Sequence, residues 1–100
     1  MVELDTVKIG DRQCNAVTVR LPKTTVLTVA TDRGYIMCGM LAIERLDNLR
    51  PERSIISARV THVKTIAELL DGTVDAVSRA ARELGVREGM TGRQALEKML

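Results

Sequence analysis

Any chemistry in this chain would have to start from a thiol. Cys38 sits in GYIMCGML, residues 34–41, and Gly39 follows it directly. A cysteine at a strand end is a candidate nucleophile, and a glycine beside it permits a sharp turn and close approach of a substrate. A thiol nucleophile needs a base, and the chain holds one histidine, His62. Arg33, Gly34, Tyr35 and Gly39 would then line the pocket of a small enzyme or ligand-binding protein, with Arg33 and His62 as its polar groups. Against this stands packing. Cys38 lies among apolar residues and glycine, surroundings that raise a thiol pKa and make it inert. Cys38 is therefore expected to be a buried small hydrophobe. His62 falls on the side of Ile56, Ala58 and Val60, near the end of a strand, where a lone histidine is expected to be a hydrogen-bonded boundary residue. The two could act together only if their strand ends meet, which spacing does not decide.

Other chemistries find less support. A zinc site needs three or four suitable ligands, and one histidine with two well-separated cysteines does not supply them. Asp5, Asp11 and Asp32 lie in or near the strand region, but Asp11 and Asp32 read as ordinary turn residues. No metal and no cofactor is expected. GMTGRQ, residues 89–94, leads two glycines into a helix start, yet it lacks phosphate-loop spacing and a preceding strand. ARELGV, residues 81–86, matches the centre of a helix-turn-helix, but Gly89 interrupts where a recognition helix should begin.

The elements that would position these residues divide near residue 40. Before it, strand signals dominate. VELDTVKI, residues 2–9, is β-branched-rich and followed by the turn GDRQ. CNAVTVRL places Asn15, Val17, Val19 and Leu21 on one face and Cys14, Ala16, Thr18 and Arg20 on the other. Pro22-Lys23 connects it to TTVLTVAT, and Asp32–Gly34 leads into YIMCG. Such short loops imply an antiparallel meander of four strands. In the first strand the apolar parity slips, Val2 and Leu4 on one face and Val7 and Ile9 on the other. That predicts a bulge or bend near Asp5 and Thr6, or partial cover on both faces.

After residue 40 the period changes. AIERLDNLR carries Ile43, Leu46 and Leu49 at helical spacing, and Pro51 blocks its continuation. SIISARVTHV returns to strand. A capping box, Thr65 to Glu68, opens a short helix that Asp71-Gly72 ends. TVDAVSRAAREL reads as a second helix, with Val74, Val77, Ala81 and Leu84 in a stripe and Gly85 as its stop. A second box, Thr91 to Gln94, opens a third. The expected fold is α+β, one domain over residues 1–100, β-rich to residue 40 and mostly helical beyond, with the C-terminal helices packed on the sheet.

Composition bounds the rest. With 45% apolar residues the chain is globular, but 1% aromatic content leaves Tyr35 as its one ring. Aliphatic side chains bury less area each than rings do, so a chain this small gains from self-association. The 15 Lys and Arg against 13 Asp and Glu give a net charge of +2, too balanced for a nucleic-acid partner or a membrane surface. MVELDTVKIG has no basic leader, and the longest uncharged run, GYIMCGMLAI, is too short to span a bilayer. Cys14 and Cys38 are expected as reduced thiols in a cytoplasmic protein.

Three stretches together carry a resemblance: AVTVRLPKTTVLTVATDRGYIMCGML, VKTIAELLDGTVDAVSRAARELGV and GMTGRQALEKM. They resemble the YunC family, small bacterial and archaeal proteins described as a domain of unknown function. Its most specific elements here are LPK, GYIMCG and the GM[ST]GR-AL pattern. Where that pattern carries Leu-Asp after the CG element, this chain has Leu41-Ala42. The resemblance implies no catalytic residues. It implies assembly through the N-terminal β-region, as a tetramer. Combined with the Thr/Val-rich sheet, it points to a homo-oligomer whose contacts are expected at Val17, Val19, Val26, Leu27 and Val29.

Overall fold

The computed structural model describes residues 1–39 and 55–100. Four strands form the expected meander: β1 (Val2–Ile9), β2 (Arg12–Leu21), β3 (Thr24–Ala30) and β4 (Tyr35–Met37). Local chemistry sets each turn. Gly10 takes φ 60° between β1 and β2, and Lys23 takes φ 65° after Pro22. Proline presets the first position of a tight turn, and Lys23 supplies a left-handed second position. At the third turn the Thr31 hydroxyl accepts hydrogen bonds from the Arg33 and Gly34 backbone N–H groups.

β5 (Ser57–Arg59) lies parallel to β4, and β6 (Ala76–Val77) antiparallel to β5. The sheet has 6 strands in the order β1-β2-β3-β4-β5-β6. β6 corrects the sequence expectation, because TVDAVSRAAREL is not one helix. Asp75 N donates to Arg59 O and Ser78 N to Ser57 O, holding its first half in the sheet. Val74, Ala76 and Ser78 are buried at alternate positions, a strand period that a helical stripe through Val74 and Val77 mimics over so short a window. Only Arg79–Glu83 is helical, α2 in our numbering, capped by the Ser78 hydroxyl.

The other helices start where their caps place them. α1 (Ile66–Asp71) has Thr65 accepting from Glu68 N at 3.1 Å. The Glu68 carboxylate closes on Lys64 N, at 2.7 Å, one residue before the N-cap. α3 (Gly92–Lys98) has the full reciprocal box between Thr91 and Gln94. The helix expected over AIERLDNLR lies outside the described residues.

All three described helices bury into one core. Leu69 and Leu70 of α1, Ala81 of α2, and Ala95, Leu96 and Met99 from α3 and its end meet Ile9, Leu27, Val29, Ile36, Ala58 and Val60 of the sheet side. This makes the fold α+β, with helices on one face of a mixed sheet. Alternation then fixes the faces. Cys14, Ala16 and Thr18 point inward, opposite buried Leu27 and Val29. Val17 and Val19 point outward, with Val26. Of the five positions expected at an interface, Leu27 and Val29 are therefore core residues, fully buried. A β-branched run alternates between both faces, and only the helices decide which face is inside.

The bulge expected in β1 is absent. β1 pairs with β2 without interruption from Val2 opposite Val19 to Ile9 opposite Arg12. The parity slip arises because cover is uneven along the strand. Ile9 is fully buried under the helices. Near the other end, Glu3 and Asp5 take the inward positions, while Val2 and Leu4 look out from the opposite face.

Candidate functional site

Two regions carry the residues singled out from sequence. The first is the pair of parallel strand ends. Gly39 lies against Thr61, where an added Cβ would come within 3.1 Å of Thr61 Cγ2. The ends of β4 and β5 therefore do meet, and the chain stretches holding Cys38 and His62 approach each other. The thiol is nonetheless engaged elsewhere. Cys38 is buried in the core cluster. Its Sγ accepts from Leu27 N at 3.5 Å and donates to Thr25 O at 3.9 Å. His62 has left the strand, adopting φ 63° at an exposed position. It is not on the apolar side with Ala58 and Val60, because the backbone turns before reaching it.

Arg33, Gly34 and Tyr35 sit at the opposite end of β4, about 10 Å of strand away from Cys38. Arg33 Nη1 donates to Leu100 O at 3.0 Å. Gly34 is packed so closely that an added Cβ would lie 2.6 Å from Ile56 O. Tyr35 is half-buried against Ala76, beside Met37. The structure thus brings Cys38, Gly39 and the start of the His62 turn together, and separates them from Arg33, Gly34 and Tyr35.

Beside Gly39 lies a polar cluster that the sequence did not advertise. Asp75 Oδ1 accepts from Arg59 Nε at 2.7 Å, and Oδ2 accepts from Thr61 N at 3.0 Å and from the Thr61 hydroxyl. Burial works to raise the Asp75 pKa, but the hydrogen bonds from Thr61 and Arg59 outweigh it and hold the carboxyl below its ordinary range. A carboxylate kept anionic by three donors is a poor proton acceptor. It ties the end of β5 to β6. These residues are 14 and 16 positions from Asp75 in sequence, and no local spacing links them.

The second thiol is no more available. Burial pushes the Cys14 pKa up, Asp32 adds to this, and Arg12 opposes it. Both cysteines are free and buried. In the native protein, we expect both to resist iodoacetamide by at least about 100-fold relative to the unfolded chain, since reaction requires an opening worth ~3 kcal/mol or more. Mass spectrometry of pulse-alkylated protein reads this directly. Rapid native labelling of Cys38 below about pH 7 would restore the nucleophile reading.

The second region is the sheet face away from the helices. Val2, Val19 and Val26 form a row across β1, β2 and β3. Leu4, Val17, Thr28 and Met37 form the next row, reaching β4. Leu4 is 77% exposed, Val2 61% and Leu21 47%. Among the described residues no helix covers these rows.

What the described residues define is a helix-backed sheet with one apolar face that none of the described helices covers. The domain of unknown function DUF1805 matches residues 37–99, and the chain belongs to that family. It is 46% identical over 100 residues to Uncharacterized protein YunC of Bacillus subtilis (strain 168), covering 100% of this chain and 99% of that protein. It is similar also to the crystal structure of a protein of unknown function, TA1206 from Thermoplasma acidophilum. That likeness has a TM-score of 0.89 and 27% identity, over 100% of this chain and 94% of the other.

Proposed function

We propose that this chain is the subunit of a cytoplasmic homo-oligomer, a tetramer, that assembles through the open face of β1, β2 and β3. The observation that carries the reading is the apolar pair of rows led by Val2 and Leu4, the most exposed large hydrophobics on that face. Contiguous apolar surface of this kind marks interfaces. Magnitudes agree with it. Covering a large aliphatic side chain is worth about 1.5–3 kcal/mol. The exposed parts of Val2, Leu4 and Leu21 on two partners would then supply roughly 8 kcal/mol, within the range of about 4–15 kcal/mol that association costs. The half-buried valines beside them add to this. Closed symmetry would bury the face without leaving a second copy of it free. A cytoplasmic setting agrees with two unpaired thiols. No helix among the described residues is long and apolar enough to cross a membrane.

Sedimentation equilibrium tests the reading. At micromolar concentration the protein should run as a multiple of its 11.0 kDa chain mass. A clean monomer across that range would end the proposal.

A further inference from the structure

β1 is the edge strand of the sheet, hydrogen-bonded on one side to β2. Met1 and Arg20 exchange both backbone hydrogen bonds, at 2.8 and 3.2 Å. Antiparallel ladders alternate, so Glu3, Asp5, Val7 and Ile9 aim their backbone groups at β2. Val2, Leu4, Thr6 and Lys8 aim theirs off the free edge. Such an edge is a template on which another chain can add a strand. Here it also carries exposed apolar side chains, Val2 and Leu4.

Part of that edge is already taken within the subunit. Thr6 N donates to Asp5 Oδ1 at 2.8 Å, and Lys8 O accepts from Arg93 Nη1 at 3.4 Å. Among the described residues this leaves open the whole backbone of Val2 and Leu4, with Thr6 O and Lys8 N. Beside these groups stand two exposed acids, Glu3 and Asp5, at inward positions of the strand. Charges at inward positions are one of the ways in which native edge strands are kept from pairing.

The possible registers show how the acids act. A second copy adding its own β1 about a two-fold axis would run antiparallel. Odd positions would then face odd positions as the close pairs of the ladder, with Cα atoms about 4.5 Å apart. Three places for the axis engage the open backbone of both Val2 and Leu4. At Glu3, the axis sets Glu3 against Glu3 of the second copy. At Leu4, it sets Glu3 against Asp5, twice. At Asp5, it sets Asp5 against Asp5. Like charges directly opposite destabilise a strand pair. Arg20 offsets part of this at Glu3, with Nε 2.7 Å from Oε1, but in an exposed pair of the kind that is worth little. With the axis at Thr6 or beyond, the ladder needs the Thr6 N–H or the Lys8 carbonyl, which Asp5 and Arg93 hold.

We propose that Glu3 and Asp5 guard the free edge of β1, and that the partner they turn away is a second copy of this chain. Edge-to-edge growth is closed off, and the apolar face of Val2, Leu4, Val17 and Val19 is left as the surface through which copies meet. That consequence rests on the assembly proposed above; the guard itself does not.

The test reverses one charge at a time in the full-length protein. With the axis at Leu4, Glu3→Lys sets an ammonium against Asp5 of the second copy, twice. Asp5→Lys makes the same pairs from the other side. Both positions are exposed, so both variants should fold, and either one can carry the test. Each should tighten β1-to-β1 pairing by on the order of tenfold to a hundredfold. At tens of micromolar the sedimenting mass should then double relative to the wild type. The Leu4 amide, which points off the edge, should exchange freely in the wild type and become protected in both variants. Glu3→Lys with Asp5→Lys sets like charges opposite once more, and should return the wild-type mass and free exchange at Leu4. Salt at about 1 M should undo the gain in the single variants. Loss of an acid alone would not produce this pattern of gain and reversal. Single variants with the wild-type mass and free exchange at Leu4 would overturn the proposal. So would a double variant that gains mass as the single ones do, a rise in mass without protection of Leu4, or a Leu4 amide already protected in the wild type. The wild-type mass itself tests the assembly and not the guard, because each result here is read as a change from it.

Discussion

Gly92→Ala should destabilise the fold sharply. Helix propensity alone argues the opposite, since alanine is better than glycine inside a helix by about 1 kcal/mol. Packing reverses the sign. A Cβ at Gly92 would lie 2.2 Å from Leu69 O and 3.0 Å from Ile36 Cδ1. The nearer atom is backbone and cannot rotate away. Gly92 N also donates to Gly72 O at 3.0 Å, so α3 begins where α1 ends, main chain against main chain. Admitting a methyl group would push α3 off Leu69 and Ile36, opening the core around Leu96 and Met99. Overpacking against rigid neighbours costs about 1–3 kcal/mol, and displaced backbone adds to it. For a domain whose whole stability is about 5–15 kcal/mol, that loss should show as a large fall in the urea midpoint or as insoluble protein. Gly89→Ala is the control. Nothing lies within 4 Å of that position, so its φ of 96° should cost only the left-handed penalty of about 1–2 kcal/mol. A Gly92→Ala midpoint equal to the wild type would show that the two helices are not in contact there.

An aspartate at Val19 and one at Leu27 should fail in different ways. The two positions lie one register step apart on neighbouring strands, since Thr18 faces Leu27 and Val19 faces Val26. Leu27 is fully buried in the core, and Val19 lies on the open face. A charge at Leu27 loses several kcal/mol of burial, as large-to-small core changes do at about 2–5 kcal/mol, and adds an unpaired ion. Leu27→Asp should abolish cooperative unfolding in circular dichroism. Val19→Asp should keep a folded subunit but reduce its sedimenting mass, because the charge would be desolvated only in the assembly. If Val19→Asp unfolded the chain as Leu27→Asp does, the outward face would have to be covered within the subunit. If it left the oligomer intact, the interface would lie elsewhere.

Much of the architecture was legible because local chemistry dictates it. The four-strand meander follows from β-branched alternation and from turns that Gly10, Pro22-Lys23 and Thr31–Gly34 can make. The starts of α1 and α3 were legible in Thr65 and Thr91, whose hydroxyls cap those helices. β6 was not, because two strand residues leave too short a period to separate from a helical stripe. The candidate site was legible only in outline. Burial of Cys38 followed from its apolar neighbours, but the Asp75 cluster joins residues on two strands that are distant in sequence. The slip in β1 was a true signal, and of its two readings, a bulge or bend against uneven cover, the unbroken pairing with β2 selects the second. It records where helices stop covering the strand.

By itself, the sequence determined the four strands of the meander and where two of the three described helices begin, because those outcomes depend on contacts within a few residues. Which face of each strand became the core was decided by tertiary structure alone. Alternation offers two equivalent faces, and only the docking of α1, α2 and α3 makes Leu27 an inside residue and Val19 an outside one. The same docking leaves Val2 and Leu4 on the face that no described helix covers.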